Sequence, residues 1–216
     1  MIDFADAREW MVAEQIEARG IANAALSAAM REVPREAFVP DSLAAFAYDD
    51  TPLPIEAGQT ISQPYIVALM IDAAGVKRGD RVLEIGAGSG YAAAVISRIA
   101  DRVIAIERHE ELARLAAARA ARLGYDNVRI VHGDGSRGCA EEAPFDAILA
   151  AASGSHVPEA LKQQLAIDGT LVMPLGEPHA VQNLVKVTRT DGDRFEEEDL
   201  GAVRFVPLIG AHGWEG

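Results

Sequence analysis

Along the first third of the chain, apolar positions recur at helical spacing. Between Ala7 and Arg19 the residues Trp10, Met11, Ala13 and Ile16 fall along one side of a helix that Gly20 stops. A second helix is expected over Asn23 to Glu32, ending before Pro34. Val33–Pro40 reads as irregular, Ala44–Tyr48 as a short helix, and Asp49–Pro54 as extended chain, because each proline pushes its predecessor out of the helical region. With a helix over Tyr65–Ala74, residues 1–75 form a helical and looped cap.

From Arg81 the rhythm changes to strand and helix in alternation. Strands are predicted at Arg81–Ile85, Arg102–Ile106, Val128–Val131 and Phe145–Ala150, and helices at Tyr91–Ile99, Glu110–Leu123 and Pro158–Leu165. Thr170–Pro174 follows a turn at Asp168-Gly169 as a further strand. Near-continuous apolar strands suit a parallel sheet covered on both faces. After Gly176 the pattern alternates, as in Leu184–Arg189, and Thr190-Asp-Gly-Asp193 signals a hairpin. Glu196–Asp199 reads as a solvated strand approach, and Ala202–Leu208 as a last strand pairing antiparallel. The prediction is an α/β, doubly wound, mostly parallel sheet over residues 76–216 with antiparallel C-terminal strands, compact with its cap.

Composition narrows the partners. No apolar run reaches the roughly 18 residues a membrane helix needs, and Met1-Ile-Asp-Phe-Ala-Asp6 lacks the basic flank and apolar stretch of a signal peptide. The single cysteine, Cys139, fits a reducing cytoplasm. A net charge of −13 argues against a phosphate-backbone partner. Histidines 109, 132, 156, 179 and 212 show no metal-ligand spacing, so no metal site is expected.

The chemistry concentrates in two segments. Val82-Leu-Glu-Ile-Gly-Ala-Gly-Ser-Gly-Tyr91 is a strand entering a glycine-rich turn, with Gly86, Ala87 and Gly88 bringing backbone close to a nucleotide-like ligand. A dinucleotide fingerprint needs a glycine where Tyr91 stands, and glycine turns alone are common. Two acids add weight. Glu84 is costly to half-bury inside a strand without a donor, and a cationic ligand end supplies one. Glu107, at the end of the next strand and beside Arg108, suits two ribose hydroxyls. S-adenosylmethionine carries the matching ammonium, whereas the pyrophosphate of NAD would be repelled. Asp134 in Gly133-Asp-Gly135 is placed to meet an adenine amino group and Gly135 to let the base lie near backbone, with an ordinary tight turn as the alternative. Ser136 lacks a nucleophile elbow.

The second segment, Gln59-Thr-Ile-Ser-Gln-Pro-Tyr65, precedes the nucleotide fold. Ser62 followed two places later by Pro64 fits a helix cap. Capping does not explain why Thr60, Ser62 and Gln63 crowd together, and these small donors suit the orientation of a carboxylate.

Ala7 to Gly210 resembles the bacterial protein-L-isoaspartate (D-aspartate) O-methyltransferase family. The matching marks are Arg19-Gly-Ile21, Val33–Pro40, Ala47-Tyr48, Leu53-Pro-Ile55, Gly58–Tyr65, Val82–Tyr91, Gly133-Asp-Gly135, Pro144–Ile148 and Val203–Leu208. The resemblance implies the Rossmann-like S-adenosylmethionine-dependent methyltransferase fold with its last strands in an unusual order, and S-adenosyl-L-methionine as cofactor. It implies Ser62 as the active-site residue, cofactor contacts from Thr60, Ile61 and Ser62, and a substrate groove flanked by Val203–Leu208. The implied substrates are isoaspartyl-containing proteins and peptides, and the expected protein is a cytoplasmic monomer without membrane or nucleic-acid partners. Two departures, Ala150–His156 and Ser136, are expected to loosen the walls near substrate and adenine. Its rivals are a paralogue methylating a dedicated carboxylate, a non-catalytic cofactor-binding module, and an NAD oxidoreductase.

Overall fold

The computed structural model describes residues 3–215. Its central sheet has seven strands: β3 (Arg81–Ile85), β4 (Arg102–Glu107), β5 (Val128–His132), β6 (Phe145–Ala150), β7 (Leu165–Leu175), β8 (Gln182–Asp191) and β9 (Arg194–Val203). The order is β5-β4-β3-β6-β7-β8-β9. Pairing is parallel from β5 to β7 and antiparallel across β7-β8 and β8-β9. The chain reverses direction across the sheet between β3 and β6, the switch point at which ligands of open α/β sheets sit. Side chains alternate there: Val82 joins the core beneath the N-terminal helices, while Leu83 and Ile85 join the core on the opposite face.

Helices α1 (Phe4–Trp10), α2 (Ala24–Glu32) and α3 (Pro64–Ala73) precede the sheet, and α4 (Tyr91–Ser97), α5 (Glu110–Leu123) and α6 (Glu159–Lys162) follow β3, β4 and β6. Between α2 and α3 lies a two-stranded hairpin, β1 (Leu53–Pro54) with β2 (Thr60–Ile61). One continuous group of buried residues runs from Met11 and Phe38 to Val82, Val103 and Ala147, so the cap packs directly on the sheet.

Four expectations need correction. The first helical stretch begins at Phe4, capped by Asp3, and passes into a π-turn over Met11–Ile16. Its wider i→i+5 spacing buries Met11, Val12, Gln15 and Ile16, and Trp10 is left 58% exposed rather than on the apolar side. Helix α6 stops at Lys162, and β7 begins at Leu165, taking in the Asp168-Gly169 turn as an irregularity with Asp168 at φ +63°. Glu196–Asp199 lies within β9, where a row of exposed carboxylates on the edge strand discourages pairing with another chain. The last strand ends at Val203, not Leu208. The side chain of Gln182 takes the next amide, its Oε1 accepting from Phe205 N at 2.8 Å. Pro207 has no amide to continue the ladder, and residues 204–208 swing across the carboxyl ends of the strands.

Candidate functional site

At the carboxyl edge of β3, β4 and β6 lies a cavity of about 680 Å³. It is walled by residues 58–63 of the cap hairpin, the turn after β3, the end of β4, Gly135, Ala151-Ala152, His179-Ala180 and residues 204–209. The structure thus brings together Thr60, Ile61, Ser62, Glu84, Gly86, Ala87, Gly88, Glu107, Arg108 and Gly135.

The turn after β3 is built for close approach. Gly86 and Gly88 have φ of +83° and +54°, a region that strains any residue with a Cβ. Its amides are already engaged: Gly86 N and Ala87 N donate to the Ile106 carbonyl at 2.8 and 3.1 Å, and Gly88 N donates to Glu107 Oε2 at 2.8 Å. The turn therefore offers no row of free N–H groups for a pyrophosphate, unlike a phosphate-cradling loop. Glu107 Oε1 accepts from His109 N at 2.9 Å, so each oxygen of this 5% exposed carboxylate is held by one backbone donor and keeps a lone pair toward the cavity.

Glu84 is the strongest electrostatic signal. It is 2% exposed, and Oε2 is buried without a partner among the described residues. Burial, together with the charge of Glu107, pushes its carboxyl up to about 8. A buried carboxylate with an orphaned oxygen is unfavourable unless a cation meets it. The ammonium of an amino-acid ligand fits that need.

Ser62 sits between β2 and α3. The helix-cap alternative fails here: the cap position of α3 is Gln63, with no side-chain cap bond. The Ser62 carbonyl accepts from Arg35 Nη2 at 2.8 Å, while its hydroxyl has no hydrogen-bond partner among the described residues and belongs to the cavity wall.

Asp134 lies outside this cavity, in an adjoining recess with Arg108, His132 and Trp214. Its carboxylate accepts from Ser136 N at 3.0 Å, Ser136 Oγ at 2.6 Å, Ala211 N at 2.8 Å and Arg137 Nε at 3.4 Å. Although burial opposes ionisation, these donors hold Asp134 below its ordinary value. Gly135 lines the cavity and packs against β3, where a Cβ would come within 2.5 Å of Ile85 Cγ2. At Ser136 and after β6, where the chain departs from the family pattern, two serines are packed into the fold. Ser136 and Ser153 are both fully buried; Ser136 Oγ accepts from His212 N at 3.0 Å, and the Ser153 backbone pairs with Val206 and Leu208 at 2.8 Å. Sequence reasoning missed His109, His179 and Ala180, which carry no motif and reach the cavity only through the folded loops.

Residues 6–213 match the family model described as protein-L-isoaspartate (D-aspartate) O-methyltransferase. The chain belongs to this family. Among curated relatives, protein-L-isoaspartate O-methyltransferase 1 of Rhodopseudomonas palustris (strain HaA2) is 59% identical over 98% of this chain and 86% of its own length. The Methylorubrum populi protein-L-isoaspartate O-methyltransferase is 57% identical over the full length of both. A Plasmodium falciparum protein described as a protein-L-isoaspartate O-methyltransferase, crystallised with S-adenosyl-L-homocysteine, superposes with a TM-score of 0.80 at 29% identity, covering 94% of this chain and 98% of that one. In this isoaspartyl methyltransferase chain no described helix is long and apolar enough to cross a membrane.

Proposed function

We infer that this chain transfers a methyl group from S-adenosyl-L-methionine to the α-carboxylate exposed when an aspartyl or asparaginyl residue rearranges to L-isoaspartate. The observation that carries the reading is the meeting, in one cavity, of the unbonded Ser62 hydroxyl with the Glu84 and Glu107 carboxylates. Family membership supplies the reaction. The resulting ester closes to a succinimide, whose hydrolysis partly restores aspartate.

The cofactor supplies an electrophilic methyl group on a sulfonium; the residues around it bind and orient. Glu84 receives the ammonium and Glu107 the ribose hydroxyls. Arg108 stands at the rim, Ala87 and Gly88 form the floor, and Gly135 lets the base lie against backbone. Asp134, in the recess beside Gly135, faces the adenine amino group in this reading and also ties down the C-terminal segment through Ala211 N. The acceptor is an α-type carboxyl with a reference pKa of roughly 3.3 to 3.7, ionised at neutral pH without a general base. Thr60 and Ser62 orient it in line with the methyl group and help exclude water. Orientation of this kind supplies about 7–11 kcal/mol in favourable cases.

Residues 1–75 thus serve as the acceptor lid and residues 76–216 as the cofactor site. The reading includes cytoplasmic location, supported by the lone cysteine, monomeric action, and no nucleic-acid partner, supported by the charge of −13. The experiment is direct. Labelled methyl from S-adenosylmethionine should enter an isoaspartyl peptide as a base-labile ester, and failure to label it under conditions where cofactor binds would overturn the reading.

Glu84 yields a pH prediction. Without cofactor, its carboxyl is raised from 4.5 to about 8, so the folded chain holds this proton more tightly than the unfolded chain. Its contribution to stability therefore falls as pH rises from 4.5 through about 8. Cofactor binding brings an ammonium to Glu84 and is expected to release a proton near pH 7. Calorimetry in two buffers of different ionisation enthalpy should detect this release in the parent and not in Glu84→Gln. Equal proton release in both would remove Glu84 from the ammonium site.

A further inference from the structure

Arg35 is fully buried, and no carboxylate pairs with it among the described residues. Its Nε donates to the Ala47 carbonyl at 2.7 Å and its Nη2 to the Ser62 carbonyl at 2.8 Å. The guanidinium lies over the Tyr91 ring, 4.8 Å from the centroid, and Nη1 is without a partner among the described residues. An unpaired buried charge is an expensive way to fill space, and a well-packed apolar side chain of similar volume is often no less stable. What the guanidinium offers instead is its planar fork, which fixes two acceptors at once as a lysine ammonium on a flexible stem does not.

The two acceptors and the ring belong to three separate parts of the site. Ala47 follows the short 3₁₀ turn at Asp41–Phe46, Ser62 belongs to the lid, and Tyr91 opens α4 directly after the glycine turn. Ser62 and Tyr91 both line the cavity. No bond among the described residues holds the Ser62 hydroxyl, so its reach is bounded by the placement of its own peptide, and Arg35 grips that peptide's carbonyl.

We propose that Arg35 is a positioning residue for methyl transfer: by tying the Ser62 carbonyl to the Ala47 carbonyl and the Tyr91 ring, it fixes the Ser62 hydroxyl relative to the glycine turn. The proposal rests on the reading of Ser62 as the donor that orients the acceptor. Misplacement of a reacting group by about 1 Å can lower a rate on the order of 10²-fold, so a modest relaxation of this peptide has a measurable effect.

The test is a double-mutant cycle of Arg35→Lys and Ser62→Ala, with kcat and KM for an isoaspartyl peptide and calorimetric cofactor affinity measured on each protein. Arg35→Lys should lower kcat about tenfold and leave the cofactor Kd within threefold, and it should add less than twofold in the Ser62→Ala background. A kcat within twofold of the parent, or the same tenfold loss in both backgrounds, overturns the proposal while leaving the Ser62 reading intact. A Ser62→Ala rate within twofold of the parent overturns that reading and the proposal with it. If the lysine variant does not fold, the parent decides. The Arg35 Nε–H resonance should shift in step with saturation by the isoaspartyl peptide, and an unchanged resonance overturns the proposal.

Discussion

Ser62→Ala is expected to lower turnover of an isoaspartyl peptide more than tenfold at saturating cofactor, corresponding to about 1.4 kcal/mol of transition-state stabilisation. A capping serine would instead be detected as a stability loss of about 0.5–2 kcal/mol with turnover per folded molecule near normal. The structure removes that role, because Gln63 occupies the cap position of α3 and the Ser62 hydroxyl is unbonded. The variant should accordingly melt close to the parent and bind cofactor almost normally. Ser62→Thr keeps the hydroxyl but adds a methyl group in the groove, so it should retain more activity than alanine. Rates for Ser62→Ala within twofold of the parent, on folded protein, would contradict the assignment.

Glu107→Ala should weaken S-adenosylmethionine binding on the order of 100-fold or more. Two effects combine. The variant loses charge-assisted hydrogen bonds to the ribose, each worth about 1.5–3 kcal/mol, and it releases the amides of Gly88 and His109 that the carboxylate holds. Glu107→Gln keeps one good acceptor oxygen and the side-chain volume, and should fall between parent and alanine. Calorimetry distinguishes these outcomes, and an unchanged Kd for the alanine variant would take Glu107 out of the cofactor site.

The strands β3, β4 and β6 were legible because buried parallel strands leave near-continuous apolar runs. For the same reason Glu84 and Glu107 stand out: an acid inside or at the end of such a run needs a reason to be there. The π-turn over Met11–Ile16 was not legible, since it changes the period by which apolar residues are read. Residues 204–208 continue an alternating pattern, and long-range bonds from Phe205 N to the Gln182 side chain and between Ser153 and Val206 and Leu208 take them out of the sheet. Arg35 was hidden for a similar reason. Within the irregular stretch Val33–Pro40 it shows no pattern of its own, and its burial depends on carbonyls at Ala47 and Ser62 that only the fold brings near.

The central claim is that this cavity selects a carboxylate by position, not by charge. Isoaspartyl and aspartyl residues carry the same charge, so only a rigid lid that places one oxygen near the methyl group can separate them. Initial methylation rates on an isoaspartyl peptide and its normal aspartyl isomer, at equal concentration and saturating S-adenosylmethionine, test this most directly. Methylation of the isoaspartyl peptide with the aspartyl isomer unreacted is the predicted result; equal rates on the two would contradict it.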